Sequence, residues 1–162
     1  MITIGRSSIT ALASFLIALA GGPAPSASPI RLDADLSDRV LKIVQGDKVV
    51  KTYEIAVGRP GHPTPPGSYT TGQIEWNPSW TPPDADWAKN NKPQPPGAKA
   101  NPLRAVKIYF KAPDYYIHGT NDPGSIGEAA SHGCIRMTAT DATDLASRIE
   151  QAGGKVPLVI HP

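Results

Sequence analysis

A mostly β fold is what this chain predicts, and three observations lead there. Val- and Ile-rich runs of strand length recur between turn signals, only one segment carries a helical period, and a long Pro- and Trp-rich loop separates two groups of strands. The length suits a single core, and no internal repeat is present.

Residues 1–27 read as a secretory signal peptide: Arg6 in a short basic start, an apolar run from Ile9 to Ala20, then small residues and prolines with cleavage near Ala24-Pro25-Ser26. The run is shorter than the roughly 20 apolar residues that span a bilayer comfortably, so no stable membrane span is expected after cleavage; an uncleaved anchor is the alternative. Ile30-Arg31-Leu32-Asp33 is a first strand. Val40 to Gln45 and Lys48 to Val57 follow as a β-hairpin, because Gly46 before Asp47 can take the positive φ of a tight turn between two Val/Ile-rich runs. Gly58 to Pro66 is a rigid proline corner, within which His62 reads as an ordinary exposed residue.

Tyr69-Thr70-Thr71, Ala105 to Phe110, Tyr115 to His118 and Val156 to Ile160 are further strand candidates. The helix is expected from about Thr140 to Gln151, with Leu145, Ile149 and Ala152 on one face and Gly153-Gly154 ending it. Between Asn77 and Pro102 lies the long loop with Trp80 and Trp87, preceded by Trp76. Its aromatic rings need burial, which argues against disorder.

The chemistry concentrates in Tyr116-Ile117-His118-Gly119-Thr120 and Ser131-His132-Gly133-Cys134-Ile135-Arg136-Met137. Cys134 is the only cysteine, and two of the four histidines lie in this window. A thiol is a useful nucleophile at neutral pH when its pKa falls or an imidazole takes its proton. His132 would lie on the same face of an extended segment as Cys134, side by side rather than head-on. His118 ends an apolar run and can approach from a neighbouring strand, which favours it as the base. Gly133 allows a tight turn and leaves amides open to an oxyanion, and the Gly119 carbonyl could orient the imidazole. Two other readings of the same residues stand beside this one: Cys134 as a small buried hydrophobe, and His118, His132 and Cys134 as three zinc ligands. The surroundings of Cys134 are polar rather than apolar, and no second thiol or close carboxylate supports zinc.

His118-Gly119, then Ser131-His132-Gly133-Cys134 with an apolar residue and Arg136, resembles the catalytic signature of the L,D-transpeptidases, the YkuD family of cell-wall enzymes. The likeness extends through Thr64-Pro65-Pro66-Gly67-Ser68-Tyr69, the Trp-rich stretch, and Pro102-Leu103 to Phe110, and so covers nearly the whole chain after residue 28. It implies a β-sandwich or barrel-like catalytic domain over residues 28–162. It implies Cys134 as nucleophile, His118 as general base and acid, and Gly119 as the carbonyl orienting it. Gly133 is expected to supply an oxyanion amide and Ser131, His132 and Arg136 to form the shell around the pair, with Tyr116, Trp80 and Trp87 as further candidates for substrate binding. Many members carry Asn where this chain has Arg136; the fork of a guanidinium suits a substrate carboxylate.

The implied substrate is a peptidoglycan tetrapeptide stem. Its acyl group would pass through a Cys134 thioester, with loss of the terminal D-alanine, to an amine of a second stem or of a wall-attached protein. No cofactor or metal is implied. Water as acceptor would make an L,D-carboxypeptidase, and reversal an endopeptidase; a zinc-dependent hydrolase and an inactive wall-binding module are the other classes. The Trp-rich loop is expected either as a lid whose Trp80 or Trp87 meets glycan or peptide, or as a cover for an open sheet edge.

Export, to the periplasm or cell wall, also suits an unpaired cysteine kept for reactivity. The net charge of +2 falls to about +1 without Arg6, and with no Lys/Arg cluster no nucleic-acid partner is expected.

Overall fold

The computed structural model describes residues 29–162, so the leader expected over residues 1–27 lies outside the described residues. Strand β1 (Ile30–Asp35) buries Leu32 and Ala34 between more open neighbours, the alternation of a strand covered on one face. It pairs antiparallel with β2 (Val40–Gln45), which turns through Gly46 and Asp47 into β3 (Lys48–Glu54). Gly46 has φ +58°, the positive value such a turn requires. The predicted second arm does not run unbroken to Val57. Ile55, Ala56 and Val57 are all buried, and Val57–Gly58 form a separate strand, β4.

The remaining strands are β5 (Gly67–Thr70), β6 (Ile74–Trp76), β7 (Leu103–Lys111), β8 (Tyr115–Thr120), β9 (Ala129–Ser131), β10 (Ile135–Met137) and β11 (Pro157–His161). Thr71, expected at the end of β5, lies past it and is buried; its hydroxyl accepts the Val156 amide at 2.9 Å, so Val156 is a fastener rather than part of β11. One helix, α1 (Ala139–Gln151), begins at Thr138, whose hydroxyl accepts the Asp141 amide, and ends in Gly153 and Gly154 at positive φ. Its buried stripe is Ala142, Leu145, Ala146 and Ile149; Ala152, expected on that face, is exposed because the helix has ended by then.

Two sheets and the helix share one core. The first sheet has the order β3-β2-β1-β11-β5 and the second β10-β8-β7-β6, with β4 and β9 as a parallel pair. Leu32, Leu41 and Ile43 from the first sheet, Ile108, Ile117 and Ile135 from the second, and Leu145 and Ile149 from α1 belong to one buried cluster. This is the mostly β, sandwich-like architecture that the sequence predicts. No helix of the described residues is long and apolar enough to cross a membrane.

The second sheet positions the site. Ile108, Ile117 and Ile135 lie in register and face the core. Their neighbours Lys107, His118 and Arg136 are equally in register, and alternation turns them to the opposite face. A register irregularity between Arg104 and Lys107, where Ala105 has φ +61°, sets this phase in β7.

Candidate active site

Cys134 immediately precedes β10, and the pairing of Arg136 with His118 and Ile135 with Ile117 carries it to the start of the strand beside Tyr116. Cys134 and His118 are therefore brought one diagonal step apart on adjacent chain segments, and both open into the same cleft. A turn aims the cysteine. Ser131, 1% exposed, donates its hydroxyl to Cys134 O at 2.6 Å and accepts the Gly133 amide at 3.0 Å. Gly133 has φ +112°, and a β-carbon there would lie 2.8 Å from the Tyr115 ring, so glycine is required twice over.

That turn corrects one expectation. The Gly133 amide, read as open to an oxyanion, is already bonded to Ser131, because closing so tight a turn needs an internal partner. Ser131 closes the turn from both sides.

His118 is buried, and its Nδ1–H donates to Gly119 O at 2.9 Å, which leaves Nε2 as the basic nitrogen of the neutral ring. Burial, followed by the Arg136 and Lys107 charges, holds its pKa down at about 4 against the opposing Gly119 hydrogen bond. Burial likewise pushes the Cys134 thiol up to about 11, although the Tyr116 amide and the Arg136 charge pull it down. The resting pair is thus a neutral thiol beside a neutral imidazole. The thiol donates to Asp114 O at 3.4 Å, and among the described residues no hydrogen bond joins it to His118. A weak donor with no charge takes the nearest carbonyl.

His132 has a different setting. Arg59 Nη2 donates to its Nε2 at 2.7 Å, Trp87 stacks on it with ring centroids 3.8 Å apart, and His62 meets it edge-on at 4.9 Å. Burial and the Arg59 charge hold its pKa at about 4. His62 is accordingly not the ordinary exposed residue expected; the proline corner folds back, with the Arg59 amide bonded to Ser131 O at 3.0 Å, and delivers it to the site. His118, His132 and Cys134 do not converge as metal ligands, and among the described residues no cluster of three His, Cys, Asp or Glu could hold a metal ion.

These side chains open into a cleft of about 670 Å³. Cys134, His118, Ser131, His132, Arg136, Tyr116, Trp80 and Trp87 all line it, whereas Gly119 and Gly133 do not. Asp84, Asp114 and Tyr115 line it too and were missed by the sequence reading, as were Arg59, bonded to His132, and Lys107, in register with His118. The long loop forms one wall. Trp80 and Gln94 bond backbone to backbone across it, and the fully buried Asn101 ties its two ends by donating to Pro78 O and Pro95 O. The Arg136 guanidinium is half-buried and, among the described residues, has no hydrogen-bond or ion-pair partner.

Such a fold and such a cleft define the class: a two-sheet β domain that sets a cysteine and a neutral histidine in one cleft. Within that class the chain belongs to the YkuD family, whose L,D-transpeptidase catalytic domain model matches residues 29–159. It is 37% identical over 123 residues to the protein named L,D-transpeptidase YkuD in Bacillus licheniformis, covering 76% of this chain and 62% of that protein. Identity to the YkuD protein of Bacillus subtilis is 33% over 131 residues, covering 81% and 67%. An L,D-transpeptidase from Mycobacterium smegmatis shares the fold, with a TM-score of 0.61 at 15% identity over 83% of this chain and 59% of that one. The chain thus spans about three fifths to two thirds of the length of these relatives.

Proposed function

We propose that the protein is a cysteine-dependent L,D-transpeptidase acting on peptidoglycan tetrapeptide stems, with Cys134 as nucleophile and His118 as general base and acid. One observation carries the reading: the two groups open into one cleft from adjacent chain segments, and the Gly119 carbonyl leaves His118 Nε2 free to take a proton. Since both groups rest neutral, the proton moves only when substrate is present. The Cys134 side chain rotates from Asp114 O toward His118, Nε2 takes the thiol proton, and sulfur bonds to the carbonyl carbon of the third stem residue. The tetrahedral intermediate collapses as His118 protonates the departing D-alanine amine, leaving a thioester. An acceptor amine then gives its proton to His118, attacks the thioester carbon and releases the thiol.

With the Gly133 amide occupied by Ser131, the Cys134 amide is the candidate oxyanion donor, worth on the order of 3 kcal/mol in such sites. Arg136 faces the cleft unpaired, as a guanidinium waiting for a substrate carboxylate would. Trp80, Trp87 and Tyr116 form apolar wall for peptide or glycan. The site belongs to a catalytic domain over residues 28–162, exported behind a cleaved leader over residues 1–27 to the periplasm or cell wall.

Incubation with a tetrapeptide stem and an amine acceptor tests this. Release of D-alanine with a new amide product supports transfer into 3-3 crosslinks or onto a protein; D-alanine with only the tripeptide acid means hydrolysis; release of neither overturns the reading.

A further inference from the structure

Among the described residues Lys107 is the only lysine, arginine or carboxylate that is buried. It sits in the middle of a row that crosses the second sheet on the face of the site: Glu75 pairs in register with Lys107, Lys107 with His118, and His118 with Arg136. Its ammonium is 2.7 Å from Glu75 Oε2 and lies over the rings of Tyr109 at 4.8 Å and Tyr116 at 5.2 Å. Three neighbours thus fix one charge.

Stability alone does not account for an ammonium here. Replacing a buried ion pair by apolar residues is often neutral or stabilising, and the opposite, core-facing side of the same sheet is filled by hydrocarbon. The charge is aimed. Tyr116, held under it, lines the cleft and donates its hydroxyl to Asp114 at 3.2 Å, and its amide helps to pull the Cys134 pKa down. We propose that Lys107 is a positioning residue of the acyl-transfer site: a fixed positive charge on the strand beside His118 that keeps the imidazole available as a base, favours the thiolate, and holds Tyr116 against the nucleophile. The inference rests on Cys134 and His118 having the roles proposed above.

Other charges face the same imidazole. Arg136 and Cys134 approach from the β10 side and Tyr116 from its own strand. Arg104, one step along β7, is turned away to Gly97 O and Ala98 O. Asp84 and Asp114 line the same cleft from the covering segments, and the Arg59 guanidinium bonds His132 while its charge also acts on Arg136. Lys107 and Arg136 are the two cations that depress the His118 pKa, and Lys107 also lowers that of Cys134.

The test follows alkylation of Cys134 by iodoacetamide against pH, a clean readout because the chain has no other cysteine. In Lys107→Met the midpoint should move up by about half a pH unit or more, with about a threefold slower rate below it. Lys107→Arg should restore the wild-type profile, and Glu75→Gln, which frees the ammonium from its counter-charge, should move the midpoint down. A merely structural lysine would change the melting temperature of these variants but not the direction of their pH profiles. Unchanged midpoints in folded Lys107→Met, or in Glu75→Gln should the first variant fail to fold, overturn the inference. Acylation of the wild type by a tetrapeptide stem is measured alongside: its absence sinks the transpeptidase reading, whereas its presence with unshifted midpoints sinks only the role of Lys107.

Discussion

Trp87 lies flat on His132, their ring centroids 3.8 Å apart and their planes 13° from parallel. This contact joins the tip of the Pro/Trp-rich loop to the segment that carries Cys134. Arg59 donates to Nε2 of the same imidazole, so His132 is where three stretches distant in sequence meet.

Trp87→Ala removes the stack. Trp87 is 38% exposed, so little core is lost and the melting temperature should stay nearly constant. As part of the proposed substrate wall Trp87 would also lose an aromatic contact to the stem peptide worth about 0.5–1.5 kcal/mol, so KM should rise about 2- to 10-fold. Steady-state kinetics beside a thermal melt checks this. Unchanged KM with a lowered melting temperature would make the loop a cover for the sheet rather than a wall for substrate, and deletion of residues 84–98 should agree with whichever result is found.

Gly133→Ala forces an L-residue to φ +112° and drives its β-carbon into the Tyr115 ring. A strained backbone of this kind costs about 1–3 kcal/mol, and displacement of the turn misplaces Cys134 as well. Denaturant unfolding should show the loss, and acylation should slow by at least about a hundredfold. Wild-type acylation in this variant would mean the turn does not aim the thiol.

Asn101→Ala strips one buried side chain of three hydrogen bonds, to Pro78 O, Pro95 O and the Leu103 amide. Each orphaned buried partner costs about 1–3 kcal/mol unless water reaches it. Limited proteolysis should cut within residues 77–102 faster than in wild type, while the strands of the first sheet stay protected. Global unfolding without selective cleavage would contradict a local staple.

Stability should fall as pH falls from about 6.5 to 4. The unfolded chain protonates His118 near its usual value of about 6.5, whereas the folded chain refuses that proton down to about 4. The unfolded state therefore binds more protons across this window, and His118 contributes a loss of about 3 kcal/mol that is complete below it. His132 acts in the same direction, more weakly for being part-exposed, and the Asp33-paired His161, whose pKa is raised, acts in the opposite one. Urea midpoints at pH 7, 5.5 and 4 should show the fall, and His118→Gln should flatten it. An equal slope in the variant would mean His118 is not buried neutral.

Legibility in the sequence followed the range of each interaction. The β2–β3 hairpin was readable because Gly46 and its Val/Ile flanks are neighbours in sequence, and α1 because its stripe repeats within 13 residues. Strands β6, β9 and β10, of three residues each, are too short to show a period and exist only through their partners. The short signature drew attention to Cys134, His118 and their neighbours, which the fold gathers in one cleft. Arg59 and His62 were not readable as site residues, since they reach His132 across 70 or more residues. Lys107 did leave a signal, a lone charge inside an apolar strand run, but only the register shows that it faces His118.

The central claim is that Cys134 becomes acylated. Intact-mass spectrometry after exposure to a tetrapeptide stem or a carbapenem reads that bond directly: wild type should gain the mass of one acyl group, Cys134→Ala should gain none, and His118→Gln should gain it far more slowly. An adduct that persists in Cys134→Ala, or a folded wild type that never acquires one, would contradict the account.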